Sequence, residues 1–400
     1  MTTATAAVAV LLDLSGATPH VLLGRRRARE GDPWSGHLAL PGGRPDASDR
    51  DAMDTAVREC AEEAGILLER AMVWGGLPPV VAGRVTGRHT VVSPFVAVLE
   101  GRFDPSEGEF RADRGTDGEI EAWMGFALED LDRPELRTAI RAPDGSVQEG
   151  VRTALGTLWG MTLRLLERVW RAPLVPGISR LWLDFDGTLY PASHPLSDAV
   201  DRRITEWISR ERGVAPEEAD LVRMDLYRRH GNTLRGMMGE SDMDPTRYLD
   251  FVFDLPDSVF PGADPGLDLA LSRLGLPARV FTNARADYVR RGLERLGISG
   301  RIRGIHDIES FGWRSKPEPA VYEELLRLEG ADPSTILFAD DRAENLAPAR
   351  ALGIRCVWMD EDGRGDWTDR DGHYWDGLPW QWKIRDARLL PALLLPRLGT

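Results

Sequence analysis

Asp184 and Asp186 stand two residues apart in LWLDFDGTLY, residues 181–190, a stretch otherwise opened by the apolar Leu181, Trp182, Leu183 and Phe185. Two carboxylates a few ångström apart repel, so the pair calls for a divalent cation between them or a proton on one of them. Either state does chemistry. An ionised carboxylate can attack phosphorus, and a protonated neighbour can hand its proton to the leaving oxygen and later draw one from water. Further polar groups follow in chain order: Thr282 and Asn283 in VFTN, Lys316 in SKPEP, and Asp340 with Asp341 in ILFADDRAEN. The Thr and Asn can hold phosphate oxygens, and the second acidic pair can hold a metal. Lys316 stands out because the chain has only two lysines, Lys316 and Lys383, and is otherwise basic through arginine. A compact ammonium is a point charge that a planar guanidinium does not replace. A second acidic group lies in RECAEEAGI, residues 58–66, where Glu59, Glu62 and Glu63 fall at i, i+3 and i+4 on one helical face. Each like-charged pair at that spacing costs an isolated helix about 0.2–0.5 kcal/mol, a sign that a hard cation reverses. Without a cation such a face is simply solvated.

These residues need elements that place them. On a strand, side chains two apart share a face, so Asp184 and Asp186 are expected together at the carboxyl end of a strand in an open parallel sheet, where ligands bind in such folds. RLWLDFD, ARVFTN, STILFADD and IRCVWM are strand-like and alternate with long amphipathic stretches, the βαβ pattern of a parallel sheet. Upstream, AAVAVLLDL, HVLLG and VVSPFVAVLE read as strands, and residues 51–64 as a helix. RAPLVPGISR, with two prolines and a glycine, marks a seam, and a linker is placed at residues 173–178. The chain end, from DEDGRGDW to LLPALLLPRLGT, reads as an acidic, Trp-rich loop and a docking helix. Four hundred residues with 42% hydrophobic and 28% charged side chains suit two or three globular domains. A formal charge of −14 disfavours nucleic acid as a partner, so phosphate recognition has to be local. Cys60 and Cys356 offer neither a disulfide framework nor a zinc cluster. The apolar start is too short for a membrane span and lacks the basic segment of a signal peptide, so no membrane partner and a cytoplasmic location are expected.

Taken together over residues 179–360, the motifs around Asp184, Thr282, Lys316 and Asp340–Asp341 resemble those of the haloacid dehalogenase superfamily. That resemblance implies a Mg²⁺-dependent aspartyl-phosphate mechanism, with Asp184 as nucleophile and Asp186 as acid/base. It implies Thr282 and Lys316 on the phosphoryl group, with Asn283 beside them as a substrate-binding candidate from its residue type, and Asp184, Asp186 through its carbonyl, Asp340 and Asp341 on the metal. The mostly helical stretch at about 191–275 is similar to the cap of the pyrimidine 5′-nucleotidase-like branch, with Phe253 where that branch often has histidine. In the first half, RECAEEAGI behind LALPGGRPDASD resembles the Nudix box, which implies diphosphate hydrolysis. Glu59, Glu62 and Glu63 would be metal ligands, Glu63 also catalytic, and Arg58 would orient the first glutamate or the substrate. Asp49 stands where that box usually has glutamate, with one extra residue before Arg58. GDPWSGHLALPGG and LWGMTLRLL are similar to segments of the coenzyme A diphosphatase branch. Glu119 is the expected base, Glu121 the alternative.

The fold class expected is therefore α/β throughout: a Nudix α/β/α sandwich with a mixed sheet over residues 1–172, then a Rossmann-like parallel-sheet core with an inserted helical cap over 179–362, and a loop and docking helix over 363–400. The function expected is a bifunctional hydrolase using Mg²⁺, or Mn²⁺ in its place. It would take a small nucleotide or dinucleotide substrate, cleaving a nucleoside diphosphate-X such as a dinucleotide cofactor or a coenzyme A-like molecule, and then dephosphorylate a monoester product. The alternatives are that one half, more readily the first, is a ligand sensor, or that the two halves act on unrelated substrates. Oligomeric state is not written in the sequence.

Overall fold

Short apolar runs bounded by glycine, proline and acidic residues become the strands of a chain that divides into two compact units. The computed structural model describes residues 6–31, 34–69, 72–82, 90–99, 118–362 and 381–399. Most of the acidic Trp-rich loop lies outside them. One unit is formed by the chain up to Pro176 together with the tail from Ala392, and the other by Gly177–Asp362 with the chain up to Pro391.

In the first unit, β1 (Ala6–Asp13) is buried along nearly its whole length, as befits a central strand with no polar face. It pairs in parallel with β7 (Thr90–Val98) and antiparallel with β2 (His20–Arg26), giving a mixed sheet. β3 (Leu38–Ala39) and β8 (Ile120–Ala127) flank β2, β4 (Gly42–Gly43) pairs with β1, and β5 (Val73–Gly76) and β6 (Val80–Ala82) pair with β7. Helix α1 (Ala52–Ala64) begins where the Asp51 carboxylate accepts the Asp54 N–H at 2.9 Å and ends at Gly65, whose φ of 64° supplies the left-handed turn. A small antiparallel sheet of β9 (Arg137–Arg141), β10 (Val147–Thr153) and β11 (Gly156–Trp159) leads into α2 (Gly160–Arg171). The tail returns to this unit, with Val175 N–H donating to the Leu393 carbonyl at 2.9 Å.

The second unit is a parallel sheet in the order β14 (Ile302–His306), β13 (Ala278–Phe281), β12 (Arg180–Leu183), β15 (Ile336–Asp340), β16 (Arg355–Met359), β17 (Trp382–Ile384). The chain-end segment expected as loop and helix thus also supplies a strand, followed by the short α11 (Leu390–Leu394). Helices α8 (Ala286–Leu296), α9 (Pro319–Glu329) and α10 (Ala343–Ala351) make the crossovers. Between β12 and β13, α3 (Pro195–Arg212), α4 (Pro216–His230), α5 (Thr233–Glu240) and α6 (Pro245–Val252) enclose a hydrophobic core of their own around Trp207, Leu226, Met237 and Tyr248. α7 (Pro265–Leu274), included in the expected cap, packs instead against residues 299–301 and 387–389 of the sheet domain.

Phe185 ties this architecture to the chemistry, because it lies fully buried between Asp184 and Asp186. A Cβ on Gly292 of α8 would come within 2.1 Å of its ring. Gly292→Ala is therefore expected to overpack this contact and to cost about 1–3 kcal/mol, read as a lower denaturant midpoint at unchanged m. An unchanged midpoint would mean that the ring is free to shift.

Candidate active sites

The second unit gathers its polar residues at the carboxyl ends of β12, β13 and β15. Asp184 follows the last residue of β12, and its Oδ1 accepts the N–H of Phe185 at 2.8 Å. Lys316 is completely buried. Its Nζ lies 3.0 Å from Asp184 Oδ2 and 2.6 Å from Asp340 Oδ2, and donates to the Phe281 carbonyl at 2.8 Å. Burial disfavours the ammonium, but Asp184 and Asp340 outweigh it and raise its pKa above the usual lysine value. Asp340 also accepts from the Arg342 N–H at 2.8 Å and from Asn345 Nδ2 at 3.0 Å. Burial still pushes its carboxyl up to about 6, against the pull of Lys316.

Asp341 completes the group: Asp184, Asp340 and Asp341 offer carboxylate oxygens within 4.8 Å of one another, the only such group among the described residues. Its carboxylate has no hydrogen-bond or ion-pair partner among the described residues, and burial, Asp340 and Asp184 all push its pKa well above the normal range. A carboxylate without a partner, beside two others, is what a hard cation would satisfy. Gly187 makes room for it, with φ of 68° and a position where a Cβ would lie 2.5 Å from Asp341 Oδ2.

Two expected residues sit differently. Asp186 lies beyond the strand, in a turn, so the shared strand face expected for it and Asp184 is not formed, and its side chain stands outside the acidic group. Its Oδ1 accepts from the hydroxyls of Tyr190 and Tyr288, the latter at 2.7 Å. Burial, with Asp184 nearby, pushes it up to about 6 against those two hydrogen bonds. Asn283 turns its amide to the Lys316 backbone, donating to the carbonyl at 3.0 Å and accepting the N–H at 2.8 Å, and so positions the lysine where a phosphate contact was expected. Thr282 is buried at the end of β13, and its Oγ1 accepts the Ala284 N–H at 3.0 Å. Sequence reasoning missed Tyr288 and Asn345, which nothing in the motif spacing links to their aspartates; Tyr190 was within reach, four residues after Asp186.

In the first unit, α1 presents its glutamates beside the glycine turn. Glu63 is 6% exposed, and its Oε2 accepts the Gly42 N–H at 2.9 Å. Glu59 lies against Gly43, where a Cβ would fall 2.3 Å from its Oε1. Arg58 is held by Asp49 in a two-pronged pair, Nε to Oδ1 and Nη2 to Oδ2, both at 3.1 Å, and its Nη1 reaches Glu59 Oε1 at 3.0 Å and Glu62 Oε2 at 2.7 Å. Burial opposes ionisation of Asp49, but its bonds to Arg58, Asp46 and Thr55 prevail and hold its pKa below the ordinary value. The three glutamates share the expected helix but do not gather into a ligand group as the aspartates do. Glu119 is also placed otherwise than a free base would be: it pairs with Arg29 at 3.1 Å and Arg26 at 3.6 Å, and Glu121 pairs with Arg25 at 2.8 Å.

A buried carboxylate–lysine–carboxylate group at strand ends, beneath inserted helices, defines the second unit as a capped α/β hydrolase. More particularly, the chain belongs to the haloacid dehalogenase-like hydrolases, whose family pattern matches residues 181–353, and it carries a NUDIX domain at residues 2–144. A phosphoglycolate phosphatase of Rhodospirillum rubrum is 30% identical over 192 residues, 44% of this chain and 77% of that protein. The mitochondrial coenzyme A diphosphatase NUDT8 of Mus musculus is 40% identical over 77 residues, 19% of this chain and 37% of the mouse protein. The chain spans less than half the length of the first three curated relatives it matches. Among solved structures, a haloacid dehalogenase-type phosphatase of Thermococcus onnurineus is 17% identical, with 55% of this chain and 100% of that chain covered and a TM-score of 0.39. No helix among the described residues is long and apolar enough to cross a membrane.

The raised aspartates have a consequence for stability. A carboxyl whose folded pKa lies above its unfolded value of about 3.9 favours the folded state only while protonated, so its contribution is lost as pH rises from about 4 through about 6. A cation held by the cluster would compensate the repulsion above that window. Millimolar Mg²⁺ should therefore raise the melting temperature clearly at about pH 7.5 and little at about pH 4.5, where protons already occupy the site. Asp341→Asn should raise the metal-free melting temperature at the higher pH and abolish the Mg²⁺ response. An equal Mg²⁺ effect at both values would dissociate the ion from this cluster.

Proposed function

We propose that the chain is a bifunctional phosphohydrolase, residues 1–172 cleaving a nucleotide-linked diphosphate and residues 179–362 hydrolysing a phosphomonoester. The observation that carries the second activity is the lysine buried between Asp184 and Asp340. Lys316, 3.0 Å from Asp184 Oδ2, holds that carboxylate in place, so its oxygen can form a bond to phosphorus as the ester P–O bond breaks. Asp186, with a pKa near 6 and both tyrosines on Oδ1, has Oδ2 left to protonate the departing alkoxide and then to take a proton from the water that hydrolyses the aspartyl-phosphate. Thr282 and Lys316 would hold the phosphoryl oxygens. Asp184 and Asp341, with Asp340 beside them, fit a divalent cation, Mg²⁺ by the hardness of its ligands, which would supply charge neutralisation at the transferring group. The phosphoglycolate phosphatase relatives favour a small anionic monoester.

For the first unit, the substrate class is a nucleoside diphosphate linked to a second group, with the coenzyme A diphosphatase relative favouring a cofactor of that kind. Cleavage would yield two phosphomonoesters, one of them a substrate for the second unit. The Glu59–Glu62–Glu63 face would hold the cation, in competition with Arg58. That competition favours one rival reading, in which the first unit binds such a ligand without cleaving it.

One experiment separates these. Wild-type protein with Mg²⁺ should release inorganic phosphate from a suitable dinucleotide, Asp184→Asn should stop at two monoesters, and Glu63→Gln should release neither. Loss of Asp184 should cost at least about a thousandfold in monoesterase rate. Residual monoesterase within about tenfold of wild type would remove Asp184 as nucleophile. Unchanged phosphate release from monoesters with no cleavage of any dinucleotide would leave the first unit as a sensor.

A further inference from the structure

Beside the glycine turn of the first unit lies a cavity of about 440 Å³, within the size range of small-ligand sites. Its wall carries three rings in mutual contact: His37 lies edge-on to Trp159 with centroids 4.9 Å apart, and Trp34 lies 5.6 Å from His37 and 6.1 Å from Trp159. Arg26, Arg44 and Arg164 line the same cavity. Of these, Arg44 and Arg164 have no side-chain ion pair among the described residues, in a chain whose arginines are otherwise heavily paired with its 64 acidic residues. An aromatic wall joined to guanidinium groups that have no ion pair among the described residues combines the two recognition elements for a nucleotide: a flat surface on which a base stacks and a cation that gives a phosphate charge-assisted hydrogen bonds.

The position agrees with the chemistry. Arg44 follows Gly43 directly, and its carbonyl accepts from Arg58 Nη2 at 2.9 Å, so the cavity that Arg44 lines adjoins the turn that meets Glu59 and Glu63. Gly160, Met161 and Thr162, the first turn of α2, form another part of the lining. That helix end has no side-chain cap and no acidic residue in its first turn, which adds backbone N–H groups to the cationic side of the cavity.

We infer that this cavity is the nucleoside-phosphate pocket of the first unit, with the base stacked on the Trp34–Trp159 wall and a phosphate group on Arg44 and Arg164. The assignment rests on the reading of that unit as one that binds a nucleotide-linked diphosphate, and it names the part of the ligand that gives selectivity and the residues that provide it.

Calorimetric titration of the full-length protein with AMP, adenosine and ribose 5-phosphate, in EDTA so that neither half turns over, tests it. Trp34→Ala should weaken AMP and adenosine by about tenfold and leave ribose 5-phosphate within about twofold, while Trp34→Phe restores most of the loss. Arg44→Ala/Arg164→Ala should weaken AMP and ribose 5-phosphate by about tenfold and spare adenosine. Melting curves of each variant, superimposed on wild type, establish that the fold is intact; Trp34 and both arginines are on the accessible side of their elements, and the phenylalanine variant guards against a packing defect. AMP isotherms of both variants that superimpose on wild type would overturn the assignment, because any AMP then bound is held elsewhere. That outcome with dinucleotide cleavage retained removes the pocket and keeps the enzyme. Selective weakening in a protein that cleaves no dinucleotide keeps the pocket and removes the catalytic reading.

Discussion

A single buried ammonium organises the second unit. Lys316 touches the ends of three adjacent strands at once, through Asp184 after β12, the Phe281 carbonyl at the end of β13 and Asp340 at the end of β15. An ammonium taken out of water is costly, and only a full set of partners offsets this. The surroundings are built accordingly. Asn283 holds the lysine backbone from both sides of the peptide, Asn345 saturates Asp340, and Tyr322 in turn holds the Asn345 carbonyl at 2.7 Å. Removing the lysine would leave buried carboxylates without their counter-charge, a loss on the order of 3–5 kcal/mol. Stability and site geometry are therefore the same property here, and what is left over is Asp341, whose carboxylate has no partner among the described residues.

The first unit answers a similar problem with a guanidinium. Arg58 distributes its donors over Asp49, Glu59 and Glu62, and the arrangement explains how an aspartate serves where the related motif has glutamate. Asp49 is fixed by the Asp46 N–H of its own loop at 2.8 Å and by the Thr55 hydroxyl of α1 at 2.9 Å, and it meets Arg58 with both oxygens. A shorter side chain on a loop lengthened by one residue reaches the same planar partner. The consequence is that Glu59 and Glu62 are engaged with arginine, whereas the aspartates of the second unit are gathered around a lysine with one carboxylate in reserve.

Most of the architecture was legible because strand-length apolar runs and alternating amphipathic helices carry their own signal. Residues 51–64 were expected as a helix and form one from Ala52 with Asp51 as its cap, and RLWLDFD, ARVFTN, STILFADD and IRCVWM all contain strands. The residues Asp184, Lys316, Asp340 and Asp341, expected to work together, lie together. What the sequence concealed were matters of direction. The two-residue spacing of Asp184 and Asp186 suggests a common face only while the strand continues, and it stops at Leu183. The amide of Asn283 turns to a backbone 33 positions away, and Glu119 is taken up by arginines across the sheet from it in sequence. Side-chain partners distant along the chain leave no periodicity to read, which is also why Tyr288, 102 residues from Asp186, was invisible.

The two lysines have one further consequence. Lys316 is wholly buried, and Lys383, 2% exposed, sits 3.3 Å from Asp360 with its ammonium over the Trp358 ring. Every other permanently cationic side chain is a guanidinium, which amine-directed acylating reagents leave untouched. Lysine side chains thus give such reagents almost no purchase on the folded protein, and acylation at either position becomes a clock for the opening of the interior that hides it. In a chain so nearly free of lysine, one conjugation chemistry reports on two defined points of the fold.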